Sequence, residues 1–105
     1  MNHSNRRLSA RVALRSPATV SLPGGQTREV RMWDLAMDGA SLISPRPIPQ
    51  GSSLALRLEL PAGAVVATPA RVVYSSYLAP NEFKIGLMFT QLDDAGAEAI
   101  SGFMA

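Results

Sequence analysis

Residues 54–60 read Leu54-Ala55-Leu56-Arg57-Leu58-Glu59-Leu60, with a leucine at every second position. This period of two puts the four leucines on one face of a β-strand and the residues between them on the other. An amphipathic helix would instead need apolar residues three or four positions apart. The pattern therefore predicts a strand with one face in the core and the other in water, so a β-sheet is the expected framework of this chain.

The remaining chain contains further strands separated by turn residues. Apolar residues of one parity run from 12 to 22, with a bend expected at Ser16-Pro17, and Pro23-Gly24-Gly25 then predicts a turn. Strands are also predicted at residues 27–35, 40–43, 65–77 and 82–89, the third of which Pro69 could interrupt. Five to seven short strands with a turn about every ten residues predict a small antiparallel barrel or sandwich.

The C-terminal residues have a different period. Asp93-Asp94 can cap a helix and complement its dipole. Apolar residues then follow at helical spacing and lie roughly along one face, namely Leu92, Ala99, Ile100, Phe103 and Met104. We expect a single C-terminal helix that packs against the sheet.

Composition excludes several classes of protein. The 105 residues are enough for one domain. The absence of cysteine excludes a disulfide framework and a cysteine nucleophile, and the single histidine, His3, rules out a multi-histidine metal site. With no nucleophile–base pair and no metal set, we expect a protein that is not an enzyme and needs no cofactor. No segment reaches the ~20 apolar residues of a membrane span, so we expect a cytoplasmic protein without membrane insertion.

Positive charge is concentrated near the N-terminus. Residues 1–50 hold seven Arg against three acidic residues, whereas residues 51–105 hold three basic against five acidic residues. Four Arg lie in the first fifteen residues with no acidic residue among them, at Arg6, Arg7, Arg11 and Arg15. Guanidinium groups bind phosphate and guanine edges through paired hydrogen bonds, so an anionic partner is expected there.

Two short segments could carry ligand chemistry. Arg7-Leu8-Ser9-Ala10-Arg11 places two arginines four residues apart, just before the first strand. Asp34-Leu35-Ala36-Met37-Asp38-Gly39 joins the second strand to the third, where Asp34 can accept hydrogen bonds and Gly39 permits an approach that a Cβ would block. Taken separately, the first is better explained as a solvated basic leader and the second as an ordinary tight turn.

In this order, the two segments resemble the motifs of the PilZ domain family, a bacterial receptor module for cyclic di-GMP. Arg7 and Arg11 match its R-x-x-x-R motif, and Asp34 and Gly39 match the ends of its [D/N]-x-S-x-x-G motif. Residues 54–58, 70–74 and 83–89 are similar to later strands of the family. The resemblance implies a six-stranded antiparallel split β-barrel with a C-terminal α-helix, and a cyclic di-GMP site formed by Arg6, Arg7, Arg11, Asp34, Ala36 and Gly39.

The resemblance also implies a mechanism. Residues 1–10 would be a flexible basic leader carrying part of the ligand motif, and residues 11–105 a single barrel domain. Ligand would order the leader against the barrel and change the contacts with a downstream effector protein. The family serine is Ala36 here, so an adaptor that binds only protein is the alternative. A single-stranded nucleic-acid binder would need more aromatic and basic residues, and no nucleic acid polymer is expected as partner.

Overall fold

The structure, a computed structural model, describes residues 10–105. Its β-strands are β1 (Val12–Ala13), β2 (Pro17–Ser21), β3 (Thr27–Leu35), β4 (Gly39–Ser44), β5 (Ser53–Glu59), β6 (Val65–Ala79) and β7 (Glu82–Phe89), and its helix is α1 (Asp94–Met104). The strand expected over residues 12–22 is divided into β1 and β2 at the predicted bend around Ser16.

All strand pairs are antiparallel, and six of the strands close into a barrel. Within the barrel, each strand from β2 to β7 pairs with two of the other five, in the order β3-β2-β5-β6-β7-β4, and β4 returns to β3. The short β1 is an extra strand that pairs only with the end of β3. The predicted all-β class, with a six-stranded antiparallel barrel and a C-terminal helix, is confirmed.

The core lies inside the barrel, and β5 shows how the sequence period produces it. Leu54, Leu56, Leu58 and Leu60 are all buried, whereas the intervening residues of β5 are exposed. Inward residues of the other strands meet them, including the fully buried Met32, Leu42 and Ile85. Burial of such side chains stabilises a fold by about 1.5–3 kcal/mol each, so this alternating pattern accounts for much of the barrel's stability.

The helix begins at a carboxylate cap. The side chain of Asp93 accepts a hydrogen bond of 2.7 Å from the backbone N–H of Gly96, which satisfies one of the free donors of the first turn. Ile100 is fully buried, and the other residues of the predicted apolar face pack at the edge of the core. No helix within residues 10–105 is long and apolar enough to cross a membrane.

One expected interruption is absent, because β6 continues through Pro69. Pro69 lies opposite Ala55 of β5, and its carbonyl accepts a 3.1 Å bond from Thr90, on the other side of the strand. The nitrogen of a strand residue points to the same side as its carbonyl. The missing N–H of Pro69 would therefore face Thr90, one residue beyond the end of β7 at Phe89, so proline removes only a bond at the end of the ladder and the strand tolerates it.

Candidate functional site

The two candidate segments meet at Asp34. The guanidinium of Arg11 donates from Nη1 to Asp34 Oδ1 over 2.9 Å. The hydroxyl of Ser41 donates to the same oxygen over 2.6 Å, and the Ser41 N–H adds a third bond of 3.2 Å. The side chain of Arg11 is 45% exposed and that of Asp34 19% exposed, so the pair is accessible from solvent. The barrel therefore holds one carboxylate oxygen in place, and residues 10–105 donate no hydrogen bond to Oδ2.

Strand register extends this point into a row across the outside of the barrel. Asp34 of β3 lies opposite Ser41 of β4, Ser41 opposite Gly86 of β7, and Gly86 opposite Tyr74 of β6. The ring of Tyr74 covers Gly86 so closely that a Cβ there would overlap ring atoms. Tyr74 is 39% exposed. The row thus has a carboxylate at one end and a flat aromatic surface at the other.

Trp33 adds a second aromatic group beside Asp34. It lies at a β-bulge, because Met32 pairs with Leu42 whereas Asp34 pairs with Ser41. The guanidinium carbon of Arg15 is 3.9 Å from the centroid of the Trp33 ring, and Lys84 Nζ is 5.5 Å from it. Both distances are within the range of cation–π contacts. Arg15 also donates from Nε to the Trp33 carbonyl over 3.1 Å.

Gly39 and Ala36 pack against the barrel itself and do not face the solvent side of the site. A Cβ at Gly39 would overlap the carbonyl oxygen of Leu87 in β7, so the close approach permitted by this glycine is to the neighbouring strand. Ala36 is fully buried, and its N–H donates to the Gly39 carbonyl over 2.8 Å. Both residues therefore shape the connection between β3 and β4 that presents Asp34 and Ser41.

Of the six site residues expected from the sequence, the structure brings Arg11 and Asp34 into contact and places Ala36 and Gly39 in the adjoining connection. Arg6 and Arg7 lie outside the described residues. Sequence reasoning missed Ser41, Lys84 and the position of Tyr74. Ser41 meets Asp34 in the register of the turn that pairs Leu35 with Ala40, whereas Tyr74 meets Gly86 after a register shift between Val72 and Tyr74 that no residue pattern indicates. Only the nearness of Ser41 to Gly39 in sequence gave a signal.

The arrangement suits a planar, anionic molecule. Arg11, Arg15 and Lys84 oppose the single carboxylate of Asp34, so the charge of this outer face is positive. Guanidinium groups bind phosphate and stack on bases, and a carboxylate accepts from base N–H groups. No group of three or more His, Cys, Asp or Glu side chains suited to a metal ion occurs within residues 10–105.

The family model for the PilZ domain matches residues 5–105. No curated protein matches the chain in sequence. Among solved structures, Bacillus subtilis inhibitor of motility (MotI/DgrA) has a TM-score of 0.79 at 15% identity, over 94% of this chain and 50% of that chain. The PilZ domain of Escherichia coli YcgR with c-di-GMP has a TM-score of 0.74 at 16% identity, over 91% of this chain and 86% of that one.

A third similar structure is the PilZ domain of CeSA from a cellulose-synthesizing bacterium, with a TM-score of 0.65 at 20% identity. It is matched over 89% of this chain and 92% of that chain. The chain spans half the length of the MotI/DgrA chain and most of the length of the two PilZ domains. At these identities the likeness to the solved structures shows a shared fold.

Proposed function

Because the chain belongs to the PilZ domain family, we propose that it is a receptor for cyclic di-GMP that binds its ligand on the outer face of the barrel. The face is formed by the accessible side chains of the row, Asp34 and Tyr74, together with Arg11, whereas Ser41 and Gly86 lie buried beneath them. The family match and the structural likeness to a PilZ domain solved with c-di-GMP support the choice of ligand.

The contact between Arg11 and Asp34 carries the proposal. It joins the two motifs, which are 23 residues apart in sequence, within a single ion pair of 2.9 Å. Asp34 Oδ1 already accepts from Arg11 and Ser41, so Oδ2 is the oxygen that would accept from a guanine N–H. Arg11 uses Nη1 for Asp34 and keeps its remaining donors for a phosphate oxygen or a guanine edge.

The other site residues have complementary roles in this proposal. Arg6 and Arg7 would contact the phosphates from the N-terminal side, as the match to the family motif suggests. Gly39 and Ala36 would keep the connection between β3 and β4 in shape. The Tyr74 ring would offer a stacking surface to a guanine base.

We propose further that residues 1–10 are a basic leader that becomes ordered on binding, while residues 11–105 form the barrel domain. The ordered leader would change the surface seen by a downstream effector protein. In this proposal the protein is cytoplasmic, catalyses no reaction, needs no cofactor besides its ligand, and binds neither nucleic acid polymers nor the membrane interior. New arginine contacts supply the free energy, offset by the entropy lost in ordering the leader.

A calorimetric titration with cyclic di-GMP tests the nucleotide site. We expect a dissociation constant in the micromolar range or tighter, roughly −8 kcal/mol. Arg11→Ala should weaken binding by about 1–3 kcal/mol, the scale of a lost charge-assisted hydrogen bond. Arg57→Ala is the matched control, since Arg57 is an exposed arginine on β5 that lies opposite Thr19 and Ala67, away from the site residues.

The same titration decides on the alternative function. Ala36 replaces the family serine, which favours an adaptor that binds protein and no nucleotide. Absence of heat and of a ligand-induced rise in melting temperature would rule out the nucleotide site and favour that alternative. Equal affinity in the wild type and in Arg11→Ala would show that the ligand binds elsewhere.

A further inference from the structure

A pair of arginines lies at the other end of β3 from Asp34. The register of β3 and β4 pairs Arg31 with Ile43, and its continuation past the end of β4 places Arg28 opposite Arg46. Arg28 and Asp34 are six residues apart on one strand, which corresponds to ~20 Å at the rise of an antiparallel strand. The arginine pair is therefore separate from the proposed nucleotide face.

Ser44 holds these arginines together. Arg28 donates from Nη1 to the Ser44 hydroxyl over 3.2 Å and to the Arg46 carbonyl over 3.3 Å. The Ser44 hydroxyl, which is fully buried, donates to the Arg46 carbonyl over 2.6 Å. Burial lowers the pKa of Arg28, and the neighbouring charge of Arg46 lowers it further. Arg28 thus carries its charge at a half-buried position beside a second positive charge.

The two arginines have no ion-pair partner among the described residues. Neither Arg28 nor Arg46 forms an ion pair with an Asp or Glu of residues 10–105, and residues 1–9 contain no Asp or Glu. Like charges directly opposite each other on neighbouring strands destabilise a sheet. A carboxylate from outside the chain would remove this repulsion, and it fits the fork of a guanidinium through two parallel hydrogen bonds.

Apolar side chains flank the arginine pair. Ser44 lies opposite Phe83 of β7, and Phe83 lies opposite Tyr77 of β6. The rings of Tyr77 and Phe83 meet edge to face with centroids 5.7 Å apart. Tyr77 is nevertheless 65% exposed, and Leu78 next to it is 49% exposed. Tyrosine and arginine are the residue types that contribute most to binding in protein interfaces.

We propose that this end of the barrel, formed by Arg28, Arg46, Tyr77 and Leu78, docks an acidic segment of a protein partner that carries an apolar or aromatic residue beside its carboxylates. The charge complementarity comes from the arginine pair, and the apolar surface selects a peptide over a fully hydrated polyanion. The site requires no nucleotide contact, so it stands even if the cyclic di-GMP site fails its own test.

The probe for this site is the random copolymer poly(Glu,Tyr), compared with poly-Glu and with inorganic polyphosphate. Affinities are measured by fluorescence anisotropy with the full chain at about 0.15 M salt, so that nonspecific long-range attraction is screened. We expect poly(Glu,Tyr) to bind more tightly than the other two polymers. Arg46→Gln and Tyr77→Ala should each weaken its binding by about tenfold, the effect of a lost charge-assisted or aromatic contact.

Exposed Arg46 is the preferred variant, because Arg28 also closes the end of the barrel and its replacement could unfold the chain. Arg57→Gln is the control for overall charge and should bind the copolymer like the wild type. Cyclic di-GMP binding by Arg46→Gln should also equal that of the wild type. The proposal is overturned if the copolymer does not bind, if Arg46→Gln and Arg57→Gln weaken binding equally, or if polyphosphate binds as tightly.

Discussion

Two serines of this barrel have hydroxyl groups in opposite situations, and the difference predicts opposite mutational effects. The Ser41 hydroxyl donates to Asp34 Oδ1 over 2.6 Å. The Ser16 hydroxyl is buried and has no hydrogen-bond partner among the described residues. We expect Ser41→Ala to lower the free energy of unfolding by about 1.5–3 kcal/mol, as for other hydrogen bonds to a charged group. Ser16→Ala should leave it unchanged or raise it by up to about 1 kcal/mol.

Urea denaturation of both variants measures these changes, and each variant serves as the control for the other. Ser41→Ala should also weaken cyclic di-GMP binding, because Asp34 then keeps only Arg11 and a longer backbone bond to hold its carboxylate. Equal stability of the two variants would mean that the Ser41 bond contributes nothing to the barrel.

At the scale of elements, the seam between β4 and β7 depends on Gly39. A Cβ on this residue would overlap the backbone carbonyl of Leu87, and backbone cannot move aside as a side-chain end can. We expect Gly39→Ala to destabilise the fold by about 1–3 kcal/mol or more, as overpacking does. Gly102→Ala is the matched control, since nothing lies within 4 Å of its added Cβ and it sits in α1.

Gly102→Ala should raise the free energy of unfolding by up to about 0.5–1 kcal/mol, because alanine loses less conformational freedom in a helix. Thermal unfolding compares the two variants. If Gly39→Ala proved as stable as the wild type, β4 and β7 would have to move apart at this point without lowering the free energy of unfolding.

The sequence was sufficient for most elements, because their periods are local. The leucines of β5 and the apolar face of α1 could be assigned from spacing alone, and both assignments are confirmed. The hydrogen-bond partners of Asp34 could not be assigned from spacing. Counted outward from the turn, Leu35 pairs with Ala40 and Asp34 with Ser41, and only then does the bulge at Trp33 place Met32 opposite Leu42. The contact between Asp34 and Ser41 therefore depends on the length of the turn, which the apolar period of the two strands does not determine.

Gly39 also changes how the second motif is interpreted. Its spacing from Asp34 suggested a backbone that approaches a ligand, but the atom that excludes a side chain here belongs to Leu87. A chain with this barrel needs the glycine whether or not it binds nucleotide. Arg11, whose side chain is 45% exposed, is therefore a more informative position for ligand binding than Gly39.

For the whole molecule, the proposed signal is a change in the N-terminal leader. We expect cyclic di-GMP to slow hydrogen exchange in residues 5–12, because new contacts of Arg6, Arg7 and Arg11 would order that backbone. The turn at Pro61-Ala62-Gly63, between β5 and β6, should exchange equally with and without ligand. Equal exchange in residues 5–12 alongside calorimetric binding would remove the ordering mechanism and leave the binding site intact.

The closure of the barrel between β4 and β7 has a consequence for biosynthesis. The last residue of β4 is Ser44, whereas its partner β7 begins only at Glu82. At ribosomal rates of about 5–20 residues per second, the chain between them takes roughly 2–8 s to appear. During that time the outer edge of β4 has unpaired backbone groups, which can recruit strands from other nascent chains. A transcript cut short before β7 would therefore yield an aggregating product.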